Sequence, residues 1–265
     1  MPGAQAQLSD LKAWVHGLPA SLRLRFEGYP TEDFNRDVSQ LHIPYFSVLT
    51  VMCLKRSAGG IPVANTTAIL ASSCIARIFE DLLARGSLRF LQGMAGWHIA
   101  IALLALLHAR KIPRLEQAAM EQIHVLRVAL ADLSKRWPSA KMYDKGIEQL
   151  LSPQADPGVT EAHAPVMSET QGPVTDDTIP PTGVVSDQVS ENRRTVMDYF
   201  PGMSSDTSPL FKILLSDPEP SLSPFTYAPN DLSMMFYDLF DNPYDAVNIN
   251  NADYPPFSPV DASFL

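Results

Sequence analysis

The sequence predicts an all-α domain followed by a long disordered acidic tail. Apolar residues in the first 151 positions recur at helical spacing, and no strand-like alternation competes with them. Charge and proline content then change sharply at Leu151. Residues 1–151 carry 17 Lys and Arg against 12 Asp and Glu, a net +5, whereas residues 152–265 carry 3 against 17, a net −14. Of the 23 prolines, 16 follow residue 151. Such a segment buries too little apolar surface to offset about 1–2 kcal/mol of backbone entropy per residue. The first half, rich in Leu, Ile, Ala and Val, has the material for a core.

Taken in order, Leu8, Leu11, Val15 and Leu18 mark a first helix that Pro19 closes. Residues 20–39 are polar and mixed, a connector. Leu41 to Arg56 is apolar on nearly all sides, with Pro44 near the expected helix start. Lys55 and Arg56 fall at its expected end, where cations complement the carbonyl end of the helix dipole. Gly59, Gly60 and Pro62 break the chain, and Asn65 or Thr66 is placed to cap the next helix. Ala71, Ile75, Ile78, Phe79 and Leu82 then form one stripe ending at Gly86.

Residues 90–109 contain no Asp, Glu, Lys or Arg. The run approaches the roughly 20 residues that cross a bilayer, but Gln92, Gly93, Gly96, His98 and His108 interrupt it. It reads as the central helix of an all-α core. A membrane-associated protein anchored by 90–109 is the alternative. After Pro113, the residues Leu115, Ala119, Ile123, Leu126, Leu130, Leu133 and Trp137 make a regular stripe. An intradomain packing face is the favoured reading, and a dimer seam is the alternative. Trp137-Pro138 ends the run, and a short helix covers roughly residues 140–151.

Catalytic machinery is not visible, and the chain reads as a non-enzyme. His98, His108 and His124 are spread over two apolar helices, and the Glu121/His124 pair lacks the second helix of a di-metal carboxylate site. Gly59-Gly60 has neither the following Lys nor the strand context of a phosphate loop. Cys53 and Cys74 belong to no CxxC pair and read as buried free thiols. No signal peptide is apparent at the N-terminus. The small basic groups at 110–114 and 135–136 flank helix ends and are too sparse for a nucleic-acid surface.

The tail holds the strongest functional pattern. Leu232, Met235, Phe236, Tyr237, Leu239 and Phe240 are bracketed by Asp231, Asp238 and Asp241. Acidic charge keeps such apolar side chains solvated and free to enter a partner's groove. Residues 228–265 thus read as a candidate recruiting segment that enters a partner's groove and folds as it binds. Ser152, Ser208, Ser223 and Ser258 each precede a proline. They are turn formers that a kinase reading Ser-Pro could also charge.

Three blocks in the helical half carry a resemblance: Leu41-His-Ile-Pro-Tyr-Phe46, Ala76-Arg-Ile-Phe-Glu-Asp-Leu-Leu-Ala-Arg-Gly86 with Trp97 following in an apolar helix, and Lys135-Arg-Trp-Pro-Ser-Ala-Lys141. Together, over residues 8–151, they resemble the fungal-specific transcription factor domain, most closely its cutinase-regulator-like branch. The resemblance implies an all-α regulatory domain, of which residues 1–151 are the C-terminal part, in a nuclear regulator of RNA polymerase II transcription. That family binds DNA through an N-terminal six-cysteine binuclear zinc cluster, which two cysteines cannot supply. The expectation is therefore no zinc or other cofactor in this chain, indirect engagement of DNA, and no membrane. Coactivators are the expected partners, with full-length relatives or a second copy as further partners of the helical half. A truncated protein that pairs with full-length relatives and inhibits them is a further alternative.

Overall fold

The computed structural model describes residues 4–55, 57, 61–151 and 195–216. The all-α class holds. Helix α1 (Ala4–Gly17) turns Leu8 and Val15 inward. A short 3-10 turn (Ala20–Leu22) and an extended loop lead to α2 (Arg36–Met52). This helix starts earlier than expected because Asn35 caps it, its Oδ1 accepting from the N–H groups of Asp37 and Val38 at 3.0 and 3.1 Å. Pro44 therefore sits in the helix interior, at an exposed position where water can replace the missing donor.

The chain after α2 also departs from expectation. Lys55, expected at a helix end, lies in β1 (Leu54–Lys55), which pairs antiparallel with β2 (Val63–Ala64), Leu54 opposite Ala64. Arg56 and Gly59-Gly60 lie outside the described residues. Helix α3 (Thr66–Ala84) is capped by the Asn65 side chain, which accepts from Ala68 N–H at 2.9 Å. It ends at Ala84, two residues before Gly86, whose φ of 59° is the left-handed conformation that glycine adopts without steric cost. Another 3-10 turn (Ser87–Phe90) precedes α4 (Ala95–Arg110), so the charge-free run is helical only from Ala95.

Helices α3 and α4 form the centre. Every residue from Ile99 to Leu107 is fully buried, as a helix apolar on all sides requires. Among the described residues, no helix is long and apolar enough to cross a membrane. Helix α5 (Glu116–Ser134) packs on both α3 and α4. Its stripe from Leu115 to Leu133 is buried, which makes it an intradomain face and not a seam. Trp137, the last residue of the stripe, is 40% exposed. Helix α6 (Pro138–Leu151) lies on α4 and α5. The crossing is close at Gly96, where an added Cβ would stand 3.3 Å from the Ala140 Cα.

The folded unit does not stop at Leu151. Residues 195–216, expected within the tail, pack back on the bundle. They comprise a helical turn at 195–197, a 3-10 turn (Ser205–Thr207) and α7 (Pro209–Ser216), which rests on α3 and α5. The sequence shows a local reason: Ser208 precedes Pro209 at the first helical position, followed by Leu-Phe-Lys-Ile-Leu-Leu.

Candidate functional site

Leu232, Met235, Phe236, Tyr237, Leu239 and Phe240 all lie outside the described residues, as do Ser152, Ser223 and Ser258. The histidines are not brought together. His98 Nδ1 lies 2.8 Å from Ser47 Oγ, tying α4 to α2, and burial pushes its pKa down to about 4. His108 is half-buried and is also lowered, first by burial and then by Lys111. His124 is exposed, while its neighbour Glu121 accepts from Gln117 Nε2 at 2.8 Å. Among the described residues no three His, Cys, Asp or Glu converge as a metal site needs. Cys53 and Cys74 are buried free thiols. Burial pushes Cys53 up to about 11 and Cys74 well above the ordinary range, so both are poor nucleophiles.

Sequence reading missed a buried ionic cluster on α3. Asp81, 1% exposed, accepts from Thr31 twice, from its N–H at 2.8 Å and its hydroxyl at 2.5 Å, and pairs with Arg85 Nη1 at 3.0 Å. Arg77, 5% exposed, donates to the Gly28 carbonyl at 2.5 Å and lies under the Tyr29 ring at 4.1 Å. Its Nε approaches Asp81 to 3.7 Å. Arg85 also donates to the Thr31 carbonyl and lies 4.6 Å from the Phe34 ring centre. The cluster thus pins the connector at residues 28–34 to α3. Burial lowers the Arg77 pKa, Asp81 opposes the fall and Arg85 adds to it. The i, i+4 spacing of Arg77, Asp81 and Arg85 was a legible signal; their partners in the connector were not.

The second missed feature is the docking of residues 195–216. Val196, Tyr199, Phe200, Met203, Leu210 and Phe211 are buried. Rings run continuously from α1 to α7: Trp14 stacks on Tyr45 at 5.3 Å, Tyr45 meets Phe46 at 5.2 Å, Phe46 stacks on Phe200 at 6.1 Å, and Phe200 meets Phe211 edge-on at 5.5 Å. The Tyr45 hydroxyl donates to the Tyr199 carbonyl at 2.9 Å in a buried setting. At the rim, Lys12 pairs with Asp198, and His16 Nε2 lies 2.8 Å from the Asp198 carbonyl oxygen. Gly202, with φ of 84°, makes the turn between the two halves of the segment.

The segment's far end closes a polar contact. Ser208 Oγ lies 2.5 Å from Ser73 Oγ on α3, which accepts from Gln122 Nε2 of α5 at 2.8 Å. Beside it opens a groove of about 610 Å³ whose lining includes Tyr29, Arg77, Glu80, Gln122, Asp206 and Lys212. Glu80 is pushed up to about 7, first by burial and then by the adjacent Asp81. Chemically the groove is an amphipathic cleft with mixed charge, walled on one side by a segment distant in sequence. Comparison with protein-family models, with curated proteins and with solved structures returns no match for the chain.

Proposed function

We propose that the chain is a fungal-type transcriptional regulator that acts in the nucleus on RNA polymerase II transcription by recruiting coactivators through residues 228–265. The observation that carries this reading is the sequence of that segment. Six large apolar or aromatic residues, Leu232, Met235, Phe236, Tyr237, Leu239 and Phe240, are interleaved with Asp231, Asp238 and Asp241. Residues 217–265, which follow α7 directly, hold eight Asp and Glu and no Lys or Arg. A carboxylate-rich stretch of this kind is drawn to a basic-rimmed groove, and the aromatic side chains supply the burial that holds it there.

The helical unit supports the same reading by its blocks of resemblance to the fungal-specific transcription factor domain. In this reading the unit is a scaffold from which the acidic segment extends, and DNA is reached through other proteins. The working parts are then the six apolar side chains as groove anchors and the flanking aspartates as steering charges. The test is a reporter assay with the full chain fused to a heterologous DNA-binding module. Output is expected to fall to background when the six anchors become alanine, and to persist when Phe90 and Met94, exposed on the helical unit, are changed. Output that survives the six replacements would overturn the proposal.

A further inference from the structure

Ser208 is the one Ser-Pro serine among the described residues. It is followed by Pro209, it is 8% exposed, and its hydroxyl joins the docked segment to the bundle. We propose that Ser208 is a phosphorylation site for a proline-directed protein kinase, and that its phosphorylated form is compatible only with the released state of residues 195–216.

In the docked geometry the Ser208 hydroxyl is spent on contacts that a phosphoryl group would break. Ser208 Oγ is 2.5 Å from Ser73 Oγ, accepts from the Phe211 N–H at 3.3 Å, and is backed by Gln122 through Ser73. A phosphorus with three further oxygens has to displace Ser73 or turn into the adjoining groove that Ser208 also lines, and either course breaks the Ser73 contact. Charge works in the same direction. The group brings about −1.5 to −2 charges to a groove that Glu80, Glu121 and Asp206 already line. The buried cation in that lining, Arg77, is committed to the Gly28 carbonyl and to Asp81. Lys212 alone does not offset this charge in a partly dehydrated cleft.

Released, the same phosphate faces water, clear of Glu80 and Glu121. Backbone at Ser208 is already extended, with φ of −163° and ψ of 165°, so presentation to a kinase requires undocking and little local remodelling. The reaction balances simply. Ser208 Oγ bonds to the γ-phosphorus of a nucleoside triphosphate, the bond from that phosphorus to the bridging oxygen breaks, the nucleoside diphosphate leaves, and the hydroxyl proton passes to the kinase base. Because only the open form is a substrate, the rate reports the open population, and the product holds the segment open. The site itself does not depend on the transcriptional reading.

The full-length chain is to be treated with a proline-directed kinase and ATP, with phosphate at each Ser-Pro site followed by mass spectrometry and amide exchange measured afterwards. Ser208 is expected to be modified at least about tenfold faster in Phe211→Ala than in the unaltered chain, relative to the other three sites. Asp198→Ala, a surface change that removes the Lys12 pair, is expected to act in the same direction if the first variant folds poorly. Once Ser208 carries phosphate, amides of 195–216 are expected to exchange at least about tenfold faster while those of α5 do not change. No phosphate on Ser208 in any of the three proteins, equal rates in all of them, or unchanged exchange after modification would each overturn the proposal.

Discussion

Phe211→Ala probes the docking of residues 195–216 most sharply. The ring is fully buried, packs edge-on against Phe200 at 5.5 Å, and sits on a helix held by α3 and α5. Truncating a buried Phe to Ala costs about 3–5 kcal/mol through lost transfer energy and the cavity left behind. The Phe200 partner also loses an aromatic contact of about 0.5–1.5 kcal/mol, which that range already contains. If the segment opens separately from the bundle, the whole cost falls on the docking equilibrium. At about 1.4 kcal/mol per tenfold, the opening constant rises by about two to three and a half orders of magnitude. Amide exchange resolved by segment reads this directly: residues 196–216 should lose protection by that factor while α3 and α5 keep theirs. Protection unchanged in 196–216 would refute the docking argument, and equal loss throughout α3 and α5 would refute separate opening.

Asp81→Ala strands Arg77 and Arg85 and removes both acceptors of Thr31; a loss of about 3–5 kcal/mol in urea unfolding is expected, and a loss under about 1 kcal/mol would contradict the cluster's anchoring role. Gly96→Ala drives a methyl to 3.3 Å from the Ala140 Cα, a backbone atom that cannot rotate away. Overpacking of about 1–3 kcal/mol should appear as a lower unfolding midpoint, whereas an unchanged or raised midpoint would show that the α4–α6 crossing has slack. His98 sets a pH dependence. Its pKa is about 4 in the fold against an ordinary 6.5, so between those values the unfolded chain binds more protons. Its contribution is therefore complete above 6.5 and is lost as pH falls toward 4. The shift corresponds to about 3 kcal/mol at most, reduced to about 1–2 kcal/mol by solvent at this half-buried ring. Glu80, raised from 4.5 to about 7, acts oppositely as pH rises between those values. The comparison is thus between the unaltered chain and His98→Gln, whose stability should fall less on acidification; parallel profiles would contradict the assignment.

Periodicity made the centre of the fold legible. The apolar run around Ile99–Leu107 demanded a buried helix, and the Leu115–Leu133 stripe demanded a face to pack on; both are buried in the bundle. Asn65 as a cap and Gly86 as a helix stop were readable because each acts on backbone a few residues away. Pro44 misled because proline favours the first helical turn, yet Asn35 supplies a stronger start and Pro44 is tolerated at an exposed interior position. The docked segment was hidden by averaging. The acidic, proline-rich composition after Leu151 is real, but it masks the short run from Ser208 to Leu215. Its partners, Tyr45 for Tyr199 and Ser73 for Ser208, lie more than a hundred residues away, beyond any local pattern. The partners of Arg77 and Asp81 were equally opaque, since Gly28 and Thr31 come from a connector without periodicity.

The fold divides the chain differently from its composition: residues 195–216 join the described residues up to Leu151 in the helical unit, and the sequence from Asp217 onward carries no Lys or Arg. Recruitment by residues 228–265 is the central claim, and a reporter measured with the chain divided at that boundary tests it most directly. With each part fused to the same heterologous DNA-binding module, residues 217–265 are expected to drive output comparable to the full chain, and residues 1–216 to give none. Output that stays with residues 1–216, or vanishes from both parts while the full chain is active, would contradict the account.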